Sequence, residues 1–200
     1  MQASYQKFID RSPVLVKTNE LLANHITFKV GGPADLFVEI FNKNDLVSIF
    51  ELVNKLKIPH FLLGGGSNVI FSDEGFRGVV IKYANDDIEV GDLKAKIGAG
   101  CSLNKMVLSL AKEGLGGVNF LANIPGFLGG AIVGNAGCYG SEIKGVLESV
   151  TLFDKDKLKF DIVDPEDLSF GYRHSDLKSK TNLVVVEAIL NLEQVNYKDV

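Results

Sequence analysis

LLGGGSNVIF, residues 62–71, sets three consecutive glycines, a serine and an asparagine between two short apolar runs. Glycine loses more conformational entropy on folding than any other residue, so three together require a structural or functional reason. Read alone, such a triplet is most often a turn that links two strands. The alternative is a concave loop whose successive backbone N–H groups bind an anion such as a phosphate.

The two commonest phosphate-binding motifs do not match the glycines of this chain. A P-loop requires G-x-x-x-x-G-K-[ST], and no glycine precedes Lys-Ser or Lys-Thr. In the dinucleotide fingerprint G-x-G-x-x-G, Val69 takes the third glycine position after Gly64, and Leu103 takes it after Gly98. These mismatches weigh against a P-loop and a classical Rossmann site.

Strand-like and helical patterns on either side of the loop predict a small α/β unit. Asn44 can cap a helix whose apolar residues recur at helical spacing from Leu46 to Leu56, and Pro59 ends that segment. A helix that joins two strands of one sheet is typical of parallel pairing. Strands are predicted at residues 34–40, 61–63, 69–71 and 79–82.

A different pattern begins at residue 88, where apolar and polar residues alternate on both sides of Gly91-Asp92. This alternation predicts a hairpin. Ser102 can then cap a helix that ends at Gly114. The change of pattern predicts a subdomain boundary near residues 82–90. Further strands are predicted at 149–153 and 183–192.

A second glycine-rich region follows the hairpin. Twelve of the 21 glycines lie between residues 98 and 145, in a stretch too apolar for a flexible linker. From Gly129 to Gly140, small residues recur every three or four positions. Such spacing suits either close helix packing or a groove in which a flat ring or a pyrophosphate lies against the main chain. Two glycine regions in one chain favour a large phosphate-bearing cofactor.

Composition excludes several classes of function. A net charge of −4 with scattered lysines disfavours nucleic-acid binding. No stretch resembles a signal peptide or reaches membrane-spanning length, so we expect a cytoplasmic protein without a membrane partner. The three histidines show no metal or triad spacing, and no metal is expected. Cys101 and Cys138 are too few for a disulfide framework and are predicted to be buried thiols.

Four motifs, in order, resemble those of one flavoprotein family. They are HITFKVGGPADLFVE at 25–39, LLGGGSNVIFSDEGFRGVVI at 62–81, NIPGFLGGAIVGNAGCYGSEI at 123–143 and FGYRHSDLK at 170–178. The family is that of the UDP-N-acetylenolpyruvoylglucosamine reductases, FAD enzymes of the vanillyl-alcohol-oxidase or PCMH type. The resemblance extends over residues 19–192.

The resemblance implies an α+β, PCMH-type FAD-binding fold of two α/β subdomains with the flavin between them. Residues 1–24 would be an N-terminal lead-in. The first FAD-binding subdomain, with the pyrophosphate loop, would cover 25–84, and the second 85–192. Residues 193–200 would begin a C-terminal substrate domain that is missing or truncated.

The resemblance also implies the functional residues. Arg173 would be catalytic, and Tyr172 and Arg173 would contact the substrate. The loop residues would hold the FAD pyrophosphate: Gly64, Gly65, Gly66, Ser67 and Asn68. The second glycine region would line the flavin and its ribityl chain through Ile124, Pro125, Gly126, Gly129, Gly130, Ala131, Asn135 and Gly137.

The chain departs from the family pattern at several points. Asn123 stands where glycine is usual, and Phe127 replaces a small hydroxyl residue, which removes a hydrogen bond to the cofactor. The segment that carries the family's proton-donor serine and the later glutamate do not occur in residues 1–200. Glu142 is therefore read as a surface carboxylate and Glu187 as a strand-end residue.

The implied activity is the NADPH-driven reduction of UDP-N-acetylglucosamine enolpyruvate to UDP-N-acetylmuramate, with FAD held non-covalently. This step of peptidoglycan precursor synthesis serves cell-wall biogenesis, cell shape, cell division and the cell cycle. The expected partners of a monomeric enzyme are the UDP-sugar and NADPH. Two alternatives stay open: a flavin-binding module or fragment without its own catalysis, and another FAD-linked oxidoreductase of the same fold.

Overall fold

The computed structural model describes residues 3–196, which form two compact units that divide in the chain between Ala84 and Asn85. Each unit has its own sheet. Among the described residues, no helix combines the length and the apolar character that a membrane span requires. Residues 1–2 of the predicted lead-in and 197–200 of the predicted C-terminal segment lie outside the described part of the chain.

The first unit holds a four-stranded mixed sheet and two helices. Its elements are α1 (Ala3–Arg11), β1 (Val16–Leu21), β2 (Pro33–Ile40), α2 (Lys43–Leu56), β3 (His60–Leu63) and β4 (Phe76–Tyr83). The strand order is β1-β2-β4-β3, in which β4 pairs in parallel with both β2 and β3, while β1 pairs antiparallel with β2. The predicted parallel β-α-β element is therefore confirmed.

Helix α2 packs on the core through one apolar face. Leu46, Ile49, Phe50 and Val53 recur at helical spacing and are buried. Burial of each such side chain contributes about 1.5–3 kcal/mol, so this face stabilises the crossover between β2 and β3. The prediction that Asn44 caps this helix was wrong. The cap is Asn42, which has extended backbone and whose side chain accepts from the N–H of Asp45 at 2.9 Å.

Two predictions about strands in this unit also need correction. Residues 69–71 form no strand. Conversely, β1 was not predicted, because its sequence VKTNEL has no apolar alternation and its strand lies at the edge of the sheet with both faces largely exposed. Residues 3–24, read from sequence as a lead-in, thus contain α1 and β1.

Close backbone contacts join the turn that precedes β2, at residues 31–33, to the turn that precedes β4, at residues 72–75. The N–H of Gly32 donates to the carbonyl of Ser72 at 2.8 Å. A Cβ on Gly32 would lie 1.9 Å from the carbonyl oxygen of Asp73, and a Cβ on Gly75 would lie 1.8 Å from that of Pro33. These glycines are therefore needed for packing, and they explain part of the motifs at 25–39 and 62–81.

The second unit is built on an antiparallel five-stranded sheet. Its larger elements are β5 (Ile88–Val90), β6 (Lys94–Gly98), α3 (Leu103–Lys112), α4 (Leu128–Gly134), β10 (Leu147–Asp154), β11 (Lys159–Val163) and β12 (Leu183–Asn191). The strand order of the sheet is β11-β10-β12-β6-β5. Helix α3 buries Met106, Val107 and Leu110, and α4 buries Leu128 and Ile132. Short pairs are formed by β7 (Leu115–Gly116) with β13 (Glu193–Gln194) and by β8 (Gly137–Cys138) with β9 (Ser141–Glu142).

Most predicted elements of the second unit are confirmed. The hairpin of β5 and β6 encloses Gly91, and the Ser102 side chain caps α3 by accepting from the N–H of Lys105 at 3.2 Å. Strand β11 was not predicted. Glu187 lies inside β12, not at a strand end, and accepts from the Thr151 hydroxyl at 3.2 Å. Of the two cysteines, Cys101 is buried but Cys138 is only half-buried, so that prediction was half wrong.

Candidate functional site

The glycine loop, Gly64–Asn68, directly follows the carboxyl end of β3, the edge at which ligands of parallel sheets commonly bind. Gly66 is the residue of this loop that is buried against the rest of the first unit. Its φ is +67°, its carbonyl accepts from the N–H of Thr27 at 3.0 Å, and a Cβ there would lie 2.4 Å from the carbonyl oxygen of His25. Only glycine fits this combination of conformation and close approach.

The other side of the glycine loop is open. A Cβ on Gly64 would meet no heavy atom within 4 Å. Within residues 3–196, the N–H groups of Gly65, Gly66, Ser67 and Asn68 donate to no protein acceptor. Successive free N–H groups in a concave loop are suited to an anion, and the Ser67 hydroxyl and Asn68 amide add further donors. The loop therefore fits a pyrophosphate group.

The segment against which Gly66 packs is itself held by a partly buried pair. His25 Nε2 lies 2.7 Å from Glu20 Oε1, and the imidazole stacks on the ring of Phe37 with centroids 4.1 Å apart. The hydrogen bond from His25 is the largest cause that lowers the pKa of the Glu20 carboxyl; the charge of Lys17 adds to it and partial burial opposes it. His25 thus has a structural role next to the glycine loop.

The second glycine region centres on α4, whose first turn is fixed by the protein. The N–H groups of Leu128 and Gly129 donate to the carbonyls of Cys101 and Ala99, each at 2.9 Å. A Cβ on Gly129 would lie 3.0 Å from the Cβ of Ala99, so this glycine permits close packing. Phe127 occupies the N-cap of α4, and its side chain makes no capping hydrogen bond. This agrees with the sequence comparison, in which Phe127 replaces a residue with a hydroxyl group.

The remaining predicted flavin-contact residues differ in how a ligand could reach them. A Cβ on Gly130 would meet nothing within 4 Å. The same holds for Gly134, which was not a predicted contact and lies four residues further along the same face of α4. Ala131 and Asn135 are only 6% and 1% exposed. The other members are at least partly accessible to solvent: Ile124, Pro125, Gly126 and Gly137.

A cavity of about 410 Å³ lies beside the end of α4. Arg173 occupies the tight turn from Gly171 to His174 and has left-handed backbone, with φ +52°. Tyr172 is 88% exposed, so it does not pack in the core and its ring is free to contact a ligand. The lining residues are Asn135, Gly137, Cys138, Gly140, Ser141, Glu142, Tyr172 and Arg173.

Glu142 is a candidate site residue that the sequence analysis missed, because it lines this cavity with Arg173. A hydrogen-bonded ion pair with Lys144, whose Nζ lies 2.9 Å from Oε2, is the first cause that lowers the pKa of Glu142; a hydrogen bond from Asn135 and the charge of Arg173 follow. The available signal was the motif at 123–143, which contains Glu142.

The structure thus brings together two subsets of the predicted residues, one in each unit. Gly64 to Asn68 form one loop of the first unit, and Asn135, Gly137, Tyr172 and Arg173 line one cavity of the second. The cavity lining does not include the other predicted flavin contacts: Ile124, Pro125, Gly126, Gly129, Gly130 and Ala131. Within residues 3–196, no three metal-ligating side chains are grouped in a way that could hold a metal ion.

Comparison with known proteins defines the class. Residues 34–156 match the family described as FAD binding domain. In structure, the chain is similar to a moss BBE-like protein from Physcomitrella patens, with a TM-score of 0.72 and 14% identity over 94% of this chain and 44% of the other, which supports the fold alone. The chain carries an FAD-binding fold of the expected PCMH type.

Closer relatives identify the particular family. UDP-N-acetylenolpyruvoylglucosamine reductases from Clostridioides difficile and Anoxybacillus flavithermus are 37% and 34% identical over 92% and 100% of this chain, and over 61% and 67% of their own length. The crystal structure of the Thermus caldophilus reductase, MurB, has a TM-score of 0.74 and 33% identity over 93% of this chain and 64% of that one. The chain belongs to the UDP-N-acetylenolpyruvoylglucosamine reductase family. It spans about three-fifths to two-thirds of the length of these relatives.

Proposed function

We propose that the chain binds FAD non-covalently and acts as an NADPH-dependent reductase that converts UDP-N-acetylglucosamine enolpyruvate to UDP-N-acetylmuramate. The observation that carries the proposal is the glycine loop. Only glycine fits at Gly66, and a Cβ on Gly64 would meet nothing within 4 Å. Within residues 3–196, the four consecutive N–H groups from Gly65 to Asn68 have no protein acceptor. A plain turn would not need an unobstructed row of donors.

The residues of the two units take different roles in this proposal. Gly64–Asn68 hold the pyrophosphate through N–H and side-chain donors. The flavin and ribityl chain lie along the predicted contact set of the second unit, with Gly130 as its most open member. We propose residues 25–84 and 85–192 as the two FAD-binding subdomains.

FAD, when bound, supplies the hydride chemistry of the reaction. Arg173 then acts on the substrate: its guanidinium pairs with both oxygens of the enolpyruvyl carboxylate and stabilises the negative charge that develops there. A planar fork of donors suits two oxygens better than the point charge of a lysine. The ring of Tyr172 contacts the substrate beside it. We further propose that the protein is a cytoplasmic monomer of peptidoglycan precursor synthesis.

A second candidate function is a flavin-binding module without its own catalysis. It rests on the same glycine loop, whose unpaired N–H groups would bind FAD whether or not turnover follows. It shares the FAD site with the first proposal and differs only in turnover.

One experiment separates the readings. The chain is purified, its bound flavin is measured by absorbance, and free FAD is titrated by fluorescence quenching. NADPH oxidation is then followed with and without the enolpyruvyl UDP-sugar. Flavin with substrate-dependent turnover supports the reductase, and flavin without turnover supports the module. A chain that takes up no FAD refutes both.

A further inference from the structure

Asn135, predicted from sequence to contact the cofactor, has its side chain directed into the protein. It is 1% exposed and ends α4 in left-handed backbone, with φ +45°. Its Nδ2 donates to the carbonyl of Gly171 at 2.9 Å, and its Oδ1 accepts from the N–H of Lys144 at 3.4 Å. A buried amide whose donor and acceptor both have protein partners has little capacity left for a ligand.

The partner of that amide belongs to the turn that carries Arg173. Gly171 and His174 exchange backbone hydrogen bonds of 2.9 and 3.1 Å across the turn. Left-handed backbone is disfavoured for arginine, so the turn needs an external restraint. A second buried anchor follows at once: Ser175 is fully buried and donates to the carbonyl of Val133 at 2.8 Å.

The two anchors bracket Arg173 and lead to the same end of one helix. At the end of α4, the carbonyl of Val133 accepts from the Ser175 hydroxyl, and the amide of the C-cap residue Asn135 donates to the carbonyl of Gly171. Gly171 and Ser175 lie on either side of Arg173 in the chain. The Asn135 amide also faces Glu142, which lines the cavity with Arg173. One buried side chain therefore links the helix end, the turn of the arginine and the carboxylate opposite it.

We propose that Asn135 is a positioning residue for Arg173 and not a ligand of FAD, with Ser175 as its second anchor. This inference rests on the proposed function, since it assigns the support of the catalytic arginine. The motif resemblance places Asn135 among the flavin contacts. Under this proposal, a change of its side chain instead affects the position of Arg173 and leaves FAD binding at the glycines unaltered.

The test variant is Asn135→Asp, which keeps the side-chain shape and the acceptor for Lys144, removes both donors and places a carboxyl group beside that of Glu142. Asn19→Asp is the matched control, because Asn19 is an exposed asparagine with left-handed backbone, φ +52°, in the first unit. Three quantities are measured: FAD affinity by fluorescence titration, amide exchange of Gly171 and His174, and turnover of the enolpyruvyl UDP-sugar.

For Asn135→Asp we expect FAD affinity within about twofold of the parent. Amide exchange at Gly171 and His174 should be faster by roughly tenfold, because the turn loses the hydrogen bond from Asn135. Turnover should fall roughly tenfold with an unchanged KM for NADPH, and it should fall no further when the change is added to Arg173→Lys. Asn19→Asp should alter none of these values.

A loss of FAD affinity above tenfold with unchanged exchange at Gly171 and His174 would overturn the proposal. If Asn135→Asp does not fold, Ser175→Ala takes its place with the same expected pattern and the same contrary result. A parent chain without turnover counts against the proposed reductase, and the FAD titration and amide exchange then decide the role of Asn135. If the parent also fails to bind FAD, amide exchange alone decides it.

Discussion

Alanine substitutions at Gly66 and Gly64 should separate the folding role of the glycine loop from its binding role. At Gly66 a methyl group would stand 2.4 Å from the His25 carbonyl oxygen and 2.7 Å from the Cα of Ile26, in left-handed backbone. The conformation costs about 1–2 kcal/mol and the overpacking roughly 1–3 kcal/mol, so Gly66→Ala should destabilise by roughly 2–5 kcal/mol. That is a large fraction of the roughly 5–15 kcal/mol typical of a domain.

Gly64→Ala should behave in the opposite way. Its methyl group meets nothing within 4 Å, so the free energy of unfolding without cofactor should change by at most about 0.5 kcal/mol. The same methyl group occupies the open side of the loop. Loss of one hydrogen bond to a charged phosphate oxygen, worth about 1.5–3 kcal/mol, should weaken FAD binding by roughly 10- to 150-fold.

The assay pairs urea unfolding of the cofactor-free protein with FAD titration by fluorescence. Gly145→Ala is the matched control, because a Cβ on Gly145 also meets nothing within 4 Å and the position lies outside the proposed site. It should leave both quantities unchanged. Normal FAD affinity in Gly64→Ala would refute the proposed pyrophosphate site at the glycine loop. Normal stability in Gly66→Ala would refute the close packing of Gly66 against residues 25 and 26.

Three further predictions concern charge and thiol chemistry. Arg173→Lys should retain bound flavin and lower turnover about 100-fold, measured by NADPH oxidation; loss of flavin instead would contradict its role at the substrate. Burial raises the pKa of Cys101 to about 11, so iodoacetamide should alkylate the half-buried Cys138 first, as peptide mass spectrometry would show, and equal labelling would be the contrary result. The lowered pKa of Glu20 means that the charged form is favoured in the folded state, so its contribution to stability is present at neutral pH and is lost as the pH falls through the folded-state pKa. The difference in unfolding free energy between the parent and Glu20→Gln, measured by urea unfolding, should therefore shrink from about pH 7 to about pH 3; a constant difference would indicate that its hydrogen bond with His25 does not depend on ionisation.

Local sequence patterns were sufficient to predict the elements in which buried residues recur at the spacing of a helix or a strand, or in which a capping residue stands next to its helix. The apolar face of α2, the hairpin of β5 and β6 and the Ser102 cap of α3 all depend on residues a few positions apart, and the structure confirms each. The motif resemblance predicted the fold class in the same way, because the glycines that permit close backbone approach stand at recognisable positions.

Contacts between distant segments were decided only by the tertiary structure. The polar strand β1 exists because β2 supplies its hydrogen-bond partners, and no pattern within its own six residues indicates that pairing. Glu142 and Arg173 are 31 positions apart, yet they line one cavity because the hairpin of β8 and β9 and the turn of Arg173 both attach to the end of α4.

The glycine triplet shows how the two kinds of information divide. By itself, the sequence determined that residues 64–66 need glycine for some reason, since three glycines would otherwise cost entropy without return. Only the tertiary structure distinguished the reasons: the backbone of His25 and Ile26 fills the space beside Gly66, and nothing fills the space beside Gly64. That difference arises from a segment some 40 residues earlier in the chain, which is why no local pattern could reveal it.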